Sequence, residues 1–325
     1  MSGGEAPADG PLKTGRVHAV DCARGLALVG MALYHLTWDL ADFRVVSPML
    51  PFSPPMRLVS HVVGSAFLAL VGVSVALAHR DRLNLPAFWR RLALVAGAAA
   101  LVTAASLVFA PGQAIWFGIL HCIAVASLVT LAFVEAPAWA SLLAGAAAIA
   151  LPFFVHSTLF DPPALLWLGL GEALPNTLDW YPLLPWAGVV LIGLGFARLP
   201  GVLPQLTSPW RWRAKSYPAR GVCFAGRHSL AVYLVHQPIL IGLVAAAASS
   251  GLLATDPPPN PDYRSFLSAC ERACAAHGRV AEDCGSACRC VARAVERSGE
   301  AERLGELDPE RKAELKSMAD ACMGR

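Results

Sequence analysis

The stretch that decides the fold is HAVDCARGLALVGMALYHLTWDL, residues 18–40. It is long and apolar enough to span a membrane, yet it contains Asp21, Arg24, His35 and Asp39. Ionisable side chains in a spanning helix are costly and by default indicate function. Arg24 and His35 are three turns apart with about 20° left over, so they point the same way, about 16 Å apart along the axis. Asp39 follows one turn later. The alternative interpretation is that these groups are only buried polar contacts between helices.

The composition predicts an all-α integral membrane protein. Of its 325 residues 56% are hydrophobic and 15% charged, and the mean hydropathy is +0.52, whereas soluble domains carry about 25% charged residues. The net charge of +3 is small, and we find no nucleic-acid-binding patch. The apolar runs predict a polytopic bundle of seven spanning helices, and a short apolar run at residues 164–170 keeps eight open. The seven lie at about 18–39, 57–79, 91–110, 114–134, 137–155, 182–198 and 228–250.

The distribution of basic residues predicts the orientation. The expected inner segments hold 12 Lys and Arg residues, whereas the expected outer loops hold only Arg44. The positive-inside rule therefore places the N-terminus in the cytoplasm of a bacterial inner membrane and, after seven crossings, the C-terminus in the periplasm. We expect a disordered cytoplasmic N-terminus (1–16), a transmembrane domain (17–250), a proline-rich linker (251–261) and a cysteine-rich helical domain (262–325). Residues 1–16 have no leading apolar run and so do not resemble a cleavable signal peptide.

Six of the nine cysteines fall in the last 56 residues. In Cys270-x3-Cys274 and Cys284-x3-Cys288 the four-residue step keeps both thiols on one helix face. Two such helices folded antiparallel would form the pairs Cys270–Cys288 and Cys274–Cys284 and would leave a third pair, Cys290–Cys322. The spacing resembles that of the twin CX3C hairpins of small mitochondrial intermembrane-space proteins. Since six cysteines allow 15 connectivities, this pairing is a hypothesis. Disulfides need an oxidising compartment, which agrees with a periplasmic tail; a metal site is the rival interpretation.

Several polar groups are candidates for chemistry. His35 with Asp39 one turn away has the arrangement of a general base and its orienting carboxylate. His121 and His236 are secondary candidates on two other predicted helices, and Asp179 lies in an aromatic outer segment that is either an interfacial belt or a sugar-binding surface. Four arginines share one inner loop, where they either follow the positive-inside rule or bind a phosphorylated cofactor: Arg80, Arg82, Arg90 and Arg91.

Five motifs in order carry a resemblance. The first helix, with DCARGL and MALYHLTWDL, looks like the opening helix of a bacterial membrane family related to the catalytic domain of heparan-α-glucosaminide N-acetyltransferase. Its Arg-x10-His spacing is also similar to the first-helix motif of acyltransferase-3 enzymes. The further matches span about residues 16–250: FLALVGVS (67–74), FGILH (117–121), YPLLPW (181–186), and GRHSL (226–230) with HQP (236–238). The cysteine-rich tail is outside both patterns.

The resemblance implies a membrane acyltransferase, expected to be an acetyltransferase. Cytoplasmic acyl-CoA would be the donor substrate, with no permanently bound cofactor, and a carbohydrate at or beyond the outer face would be the acceptor. Arg24 and the inner arginines would serve the acyl-CoA side. His35 would deprotonate the acceptor or carry the acyl group transiently. Two other functions stay open on the residues alone: a proton-coupled permease for a small solute, and a non-catalytic anchor that displays the tail.

Overall fold

A computed structural model describes residues 17–47, 50–80, 83–207 and 214–253, and in the C-terminal tail residues 267–268, 270–272, 274, 281–297, 317 and 321–322. The chain divides into two compact units, Met1–Ala254 and Thr255–Arg325. The described residues form helices and no strand, which confirms the predicted all-α class. The predicted N-terminal tail, most of the proline-rich linker and Arg82 lie outside the described residues.

The first unit has seven long apolar helices, and they lie at the predicted positions. Each forms from one long apolar run, and turns that contain proline or charged residues separate these runs. Four are long and apolar enough to cross a membrane, and three are shorter. Residues 163–166 form a single turn and add no eighth span. The ten helices described in this unit are α1 His18–Asp42, α2 Pro54–Ala78, α3 Leu85–Phe109, α4 Ile119–Leu131, α5 Ala138–Phe154, α6 Pro163–Leu166, α7 Leu183–Ala197, α8 Val202–Thr207, α9 Tyr217–Arg227 and α10 Ser229–Ser249.

Helix α7 lies at the centre of the bundle and packs against α2, α4 and α5. Its Val190 and Leu194 are fully buried. A Cβ at Gly193 would clash with the backbone of Ala69 on α2, and one at Gly188 would clash with the carbonyl of Gly145 on α5. Without a hydrophobic driving force in lipid, small residues that allow close backbone approach are the usual means of packing membrane helices.

Helix α9 is not predicted by the sequence, because its residues lie in the polar segment between the predicted spans 182–198 and 228–250. It begins with a proline in its first turn and packs along α1. Gly25 on α1 lies against the carbonyl of Val222, and Gly226 lies against the backbone of Asp21. A disulfide between Cys22 and Cys223 joins the two helices. The N-terminal end of α1 is therefore held by a short amphipathic helix as well as by α2.

The second unit contains helix α11, Ala281–Arg297. Cys284 and Cys288 lie one turn apart on this helix and are both buried. The three disulfides of the tail join Cys270 to Cys288, Cys274 to Cys284 and Cys290 to Cys322. The first two are the pairs that an antiparallel hairpin produces and the third is the predicted remaining pair, so the predicted disulfide-linked C-terminal domain is confirmed.

Candidate active site

Helix α1 presents two polar positions along one stripe. It runs without a break from His18 to Asp42, so Arg24 and His35 do lie on the same side of one continuous helix. Near its start, Arg24 forms an ion pair with Asp21 at 3.6 Å between Nη1 and Oδ1. Its Nη2 also donates to the hydroxyl of Ser74 on α2. The Arg24 guanidinium is thus held by one side chain of its own helix, Asp21, and by one side chain of α2, Ser74.

A cavity of about 300 Å³ opens beside Arg24. Its cationic walls are Arg24 and Arg91, and its other lining is apolar or aromatic except for Ser229, with Phe67 on α2 and Tyr233 on α10. A second cavity of about 270 Å³ is lined by His79, Arg90 and Arg91. Because Arg91 lines both cavities, the two spaces adjoin along α3. Of the inner arginines predicted to bind a cofactor, the structure brings Arg24 and Arg91 together; Arg90 lies in the adjoining cavity.

The C-terminal part of the α1 stripe meets α10. The rings of His35 and His236 are in edge contact, with centroids 5.1 Å apart. Asp39 is 3% exposed, and its Oδ1 accepts a hydrogen bond from Nε2 of Gln237 at 2.8 Å. Among the described residues no hydrogen bond joins His35 to Asp39. The structure therefore places a histidine from each helix side by side. It also shows that Asp39 bonds to Gln237, a partner that the spacing within α1 cannot predict.

Tyr233 lies between the cavity and the histidines. It lines the 300 Å³ cavity, and its ring centroid is 5.6 Å from that of His236. Tyr233 and His236 are three residues apart on α10, which puts them on one face of the helix. This spacing was the available signal in the sequence for Tyr233, whereas Gln237 was visible only as part of the HQP motif.

The structure does not bring His121 into this cluster. His121 lies in the first turn of α4, where Nε2 is 3.2 Å from the Thr103 hydroxyl. Its Nδ1 accepts from the backbone N–H of Gly118 at 3.3 Å. These contacts give His121 a role in joining α3 to the start of α4.

Asp179 also has a structural role. Its Oδ2 accepts the backbone N–H of Ile119 at 2.8 Å, so it satisfies one of the free N–H groups at the start of α4. Burial raises the pKa of the Asp179 carboxyl to about 6, although hydrogen bonds from the Ile119 and Trp180 backbone favour its charged form. Thr177 and Leu178 donate hydrogen bonds to backbone carbonyls of residues 113–114. These bonds fix the segment that contains Asp179 against the turn before α4.

Arg80 lies in the turn after α2, which ends at Ala78, and lines neither cavity. The described residues contain no group of three or more His, Cys, Asp or Glu side chains arranged to hold a metal ion. The candidate site for a small-molecule substrate therefore consists of the two cationic cavities and the His35–His236 pair.

A family model described as "Heparan-alpha-glucosaminide N-acetyltransferase, catalytic" matches residues 16–238. The match begins just before α1 and ends at Pro238, so it includes both histidines, Arg24 and Arg91 and excludes the cysteine-rich tail. Searches of curated proteins and of solved structures gave no significant match. Since the matched segment is more than half of the chain, this multi-pass membrane protein belongs to the heparan-α-glucosaminide N-acetyltransferase catalytic-domain family.

Proposed function

We propose that the protein transfers an acetyl group from cytoplasmic acetyl-CoA to a hydroxyl or amine of a periplasmic or membrane-bound glycan. The observation that carries the proposal is the contact of Tyr233 with both parts of the site. Tyr233 lines the cavity between Arg24 and Arg91, and its ring contacts His236, which in turn contacts His35. A cationic space and a pair of imidazoles are thereby joined inside one helix bundle.

The cavity residues suit the donor. Arginine binds phosphate with several N–H donors in a fixed plane, and Arg90 and Arg91 are available for this at the start of α3. The apolar lining, including Phe67 and Val71, suits the uncharged arm that carries the thioester. The asymmetry of basic residues supports a cytoplasmic location for this end of the bundle.

The histidine pair suits the transfer. In this proposal His35 takes the proton of the acceptor as its oxygen or nitrogen attacks the thioester carbonyl. Gln237 holds the Asp39 carboxylate beside this pair through the hydrogen bond from its Nε2 to Oδ1. The glucosaminide in the family's description makes an amino sugar the first acceptor to test.

The test uses the full chain purified in detergent or nanodiscs, with radiolabelled acetyl-CoA and glucosamine as the probe acceptor. We expect His35→Ala to reduce acetyl transfer by about 10²-fold or more. Arg91→Ala should raise the KM for acetyl-CoA more than it lowers kcat, since its role is in binding. His61→Ala is the matched control, because His61 is an exposed histidine of α2 whose ring contacts Trp186 and not His35.

Full transfer by a correctly folded His35→Ala variant would contradict the assignment of the base. If the wild-type protein does not bind acetyl-CoA but proteoliposomes take up a small solute without CoA, the permease function is favoured instead. Deletion of residues 256–325 should leave acetyl transfer in place, whereas an anchor for the tail would lose its function.

A further inference from the structure

The hydrogen bonding of His236 defines which of its ring nitrogens carries a proton. Nδ1 lies 2.6 Å from the backbone carbonyl oxygen of Tyr233. A carbonyl oxygen only accepts hydrogen bonds, so Nδ1 must be the donor. In a neutral imidazole the other nitrogen is then a bare acceptor. Nε2 of His236 is therefore the atom available for a second contact.

This Nε2 atom is buried and has no hydrogen-bond partner among the described residues. Protonating it would bury an unpaired N–H and a charge, which is costly, so the neutral ring with a bare Nε2 is favoured. Two aromatic rings contact His236 in the described structure, those of Tyr233 and His35. Of these, only the ring of His35 contains nitrogens that carry or release a proton near neutral pH.

Asp39 is not placed to orient His35. Its Oδ1 accepts from Gln237, and its Oδ2 has no partner in the described structure. Its position one turn from His35 predicts an orienting role for Asp39, but no hydrogen bond between the two is found in the described structure. The ring that contacts His35 is the imidazole of His236 on α10, and Nε2 of that imidazole lacks a donor.

We propose that His236 is the positioning residue of His35: Nε2 of His236 accepts the N–H of His35, which leaves the other nitrogen of His35 bare to act as the base. This inference rests on the proposed function for the role of His35, but the pairing itself does not. The contact between the rings, with centroids 5.1 Å apart, brings the two imidazoles close enough for a small ring rotation to form this hydrogen bond without the acceptor.

The transfer then balances as follows. The bare nitrogen of His35 takes the proton from the acceptor N–H or O–H while the acceptor lone pair forms a bond to the thioester carbonyl carbon. The C–S bond breaks, the CoA sulfur leaves as a thiolate, and that thiolate takes the proton back from His35. His236 holds the second N–H of His35 throughout and stabilises the transient imidazolium without exchanging a proton.

The first test is spectroscopic and needs no acceptor. Histidine-selective ¹⁵N labelling of the full chain in nanodiscs distinguishes protonated from bare ring nitrogens, and the signals are assigned by their loss in His35→Ala and His236→Ala. We expect a bare Nε2 on His236 and a single tautomer on His35 in the wild-type protein. In His236→Leu, His35 should become a mixture of tautomers, whereas Asp39→Asn should leave it unchanged.

The second test is kinetic, with acetyl-CoA and glucosamine. His236→Leu should lower kcat by about 10–100-fold with little change in the KM for acetyl-CoA, and His236→Gln should restore part of kcat because its amide oxygen still accepts. His61→Gln is the matched control. It replaces a histidine whose Nδ1 also bonds a backbone carbonyl, that of Arg57 at 2.7 Å, and it should leave kcat unchanged.

A His35 spectrum that His236→Leu leaves unchanged overturns the pairing, and so does a protonated Nε2 on His236. Equal loss of kcat in the Leu and Gln variants would also contradict it, because a merely structural role predicts no rescue. Absence of acetyl transfer in the wild-type protein would count against the proposed function but not against the pairing, which the spectra decide separately.

Discussion

The hydrogen bond between Gln237 and Asp39 joins the C-terminal part of α1 to α10 across 198 residues of sequence, and its removal should destabilise the folded protein. Asp39 is 3% exposed, so water cannot replace the lost donor. Gln237→Leu keeps a side chain of similar size but leaves both carboxylate oxygens without a partner. A hydrogen bond to a charged group contributes about 1.5–3 kcal/mol, and we expect a loss of stability in this range.

The assay is a double-mutant cycle with Gln237→Leu, Asp39→Leu and the double variant, followed by reversible unfolding of the purified protein in mixed micelles. Each single variant leaves a buried polar group unpaired, whereas the double variant removes both. The double variant should therefore be more stable than the sum of the single changes predicts, with a coupling energy of at least about 1.5 kcal/mol.

Gln113→Leu is the matched control. Gln113 is exposed, and its amide reaches Asn176 at 3.4 Å, so the same substitution should change stability by no more than about 0.5 kcal/mol. A coupling energy below about 0.5 kcal/mol between Gln237 and Asp39 would refute the reasoning, since it would mean that another donor satisfies the buried carboxylate.

Three further predictions concern other parts of the chain. Gly226→Ala should destabilise the protein by about 1–3 kcal/mol in the same unfolding assay, because its Cβ would clash with the carbonyl of Asp21, whereas Gly221→Ala on the same helix meets open space and should not. The folded-state pKa of Asp179 is raised from 3.8 to about 6, so stability should fall by at most about 3 kcal/mol as pH rises from about 4 through 6. Asp179→Asn should remove this pH dependence, and a variant whose melting temperature depends on pH as in the wild-type protein would contradict the prediction. Alkylation of the denatured, unreduced protein should leave the six tail cysteines unlabelled, and labels found on them by peptide mass spectrometry would contradict the three tail disulfides.

The membrane helices were predictable because length and apolar content decide them locally. Most ends of the predicted spans lie within a few residues of the observed ends of α1, α2, α3 and α10. Helix α9 was missed for a physical reason: its residues are polar enough to read as a loop, and its apolar side is recognisable only once α1 is beside it. A helix whose stability comes from packing, and not from its own propensity, leaves little trace in a single sequence.

The same distinction applies to the site. The common direction of Arg24 and His35 follows from helix geometry alone and holds in the structure because α1 is continuous. The partner of each group does not follow from that geometry. Asp39 bonds to Gln237 and Asp179 to the start of α4, and both contacts join residues at least 60 positions apart. A count of inner arginines likewise cannot tell that Arg91 lines both cavities.

The two parts of the site have opposite hydrogen-bonding character, and this argues for two different ligands. The charged side chains of the cavity beside α3, Arg24 and Arg91, only donate hydrogen bonds. The cluster around Asp39 has two buried acceptor atoms without partners in the described structure, Oδ2 of Asp39 and Oε1 of Gln237. Nε2 of His236 is a third such atom, and the proposed pairing gives it to the N–H of His35. Phosphates, which only accept near neutral pH, complement the first part, and the O–H or N–H groups of a sugar complement the second. An acyl donor and a glycan acceptor have this combination, whereas a single small anion would satisfy only the arginines.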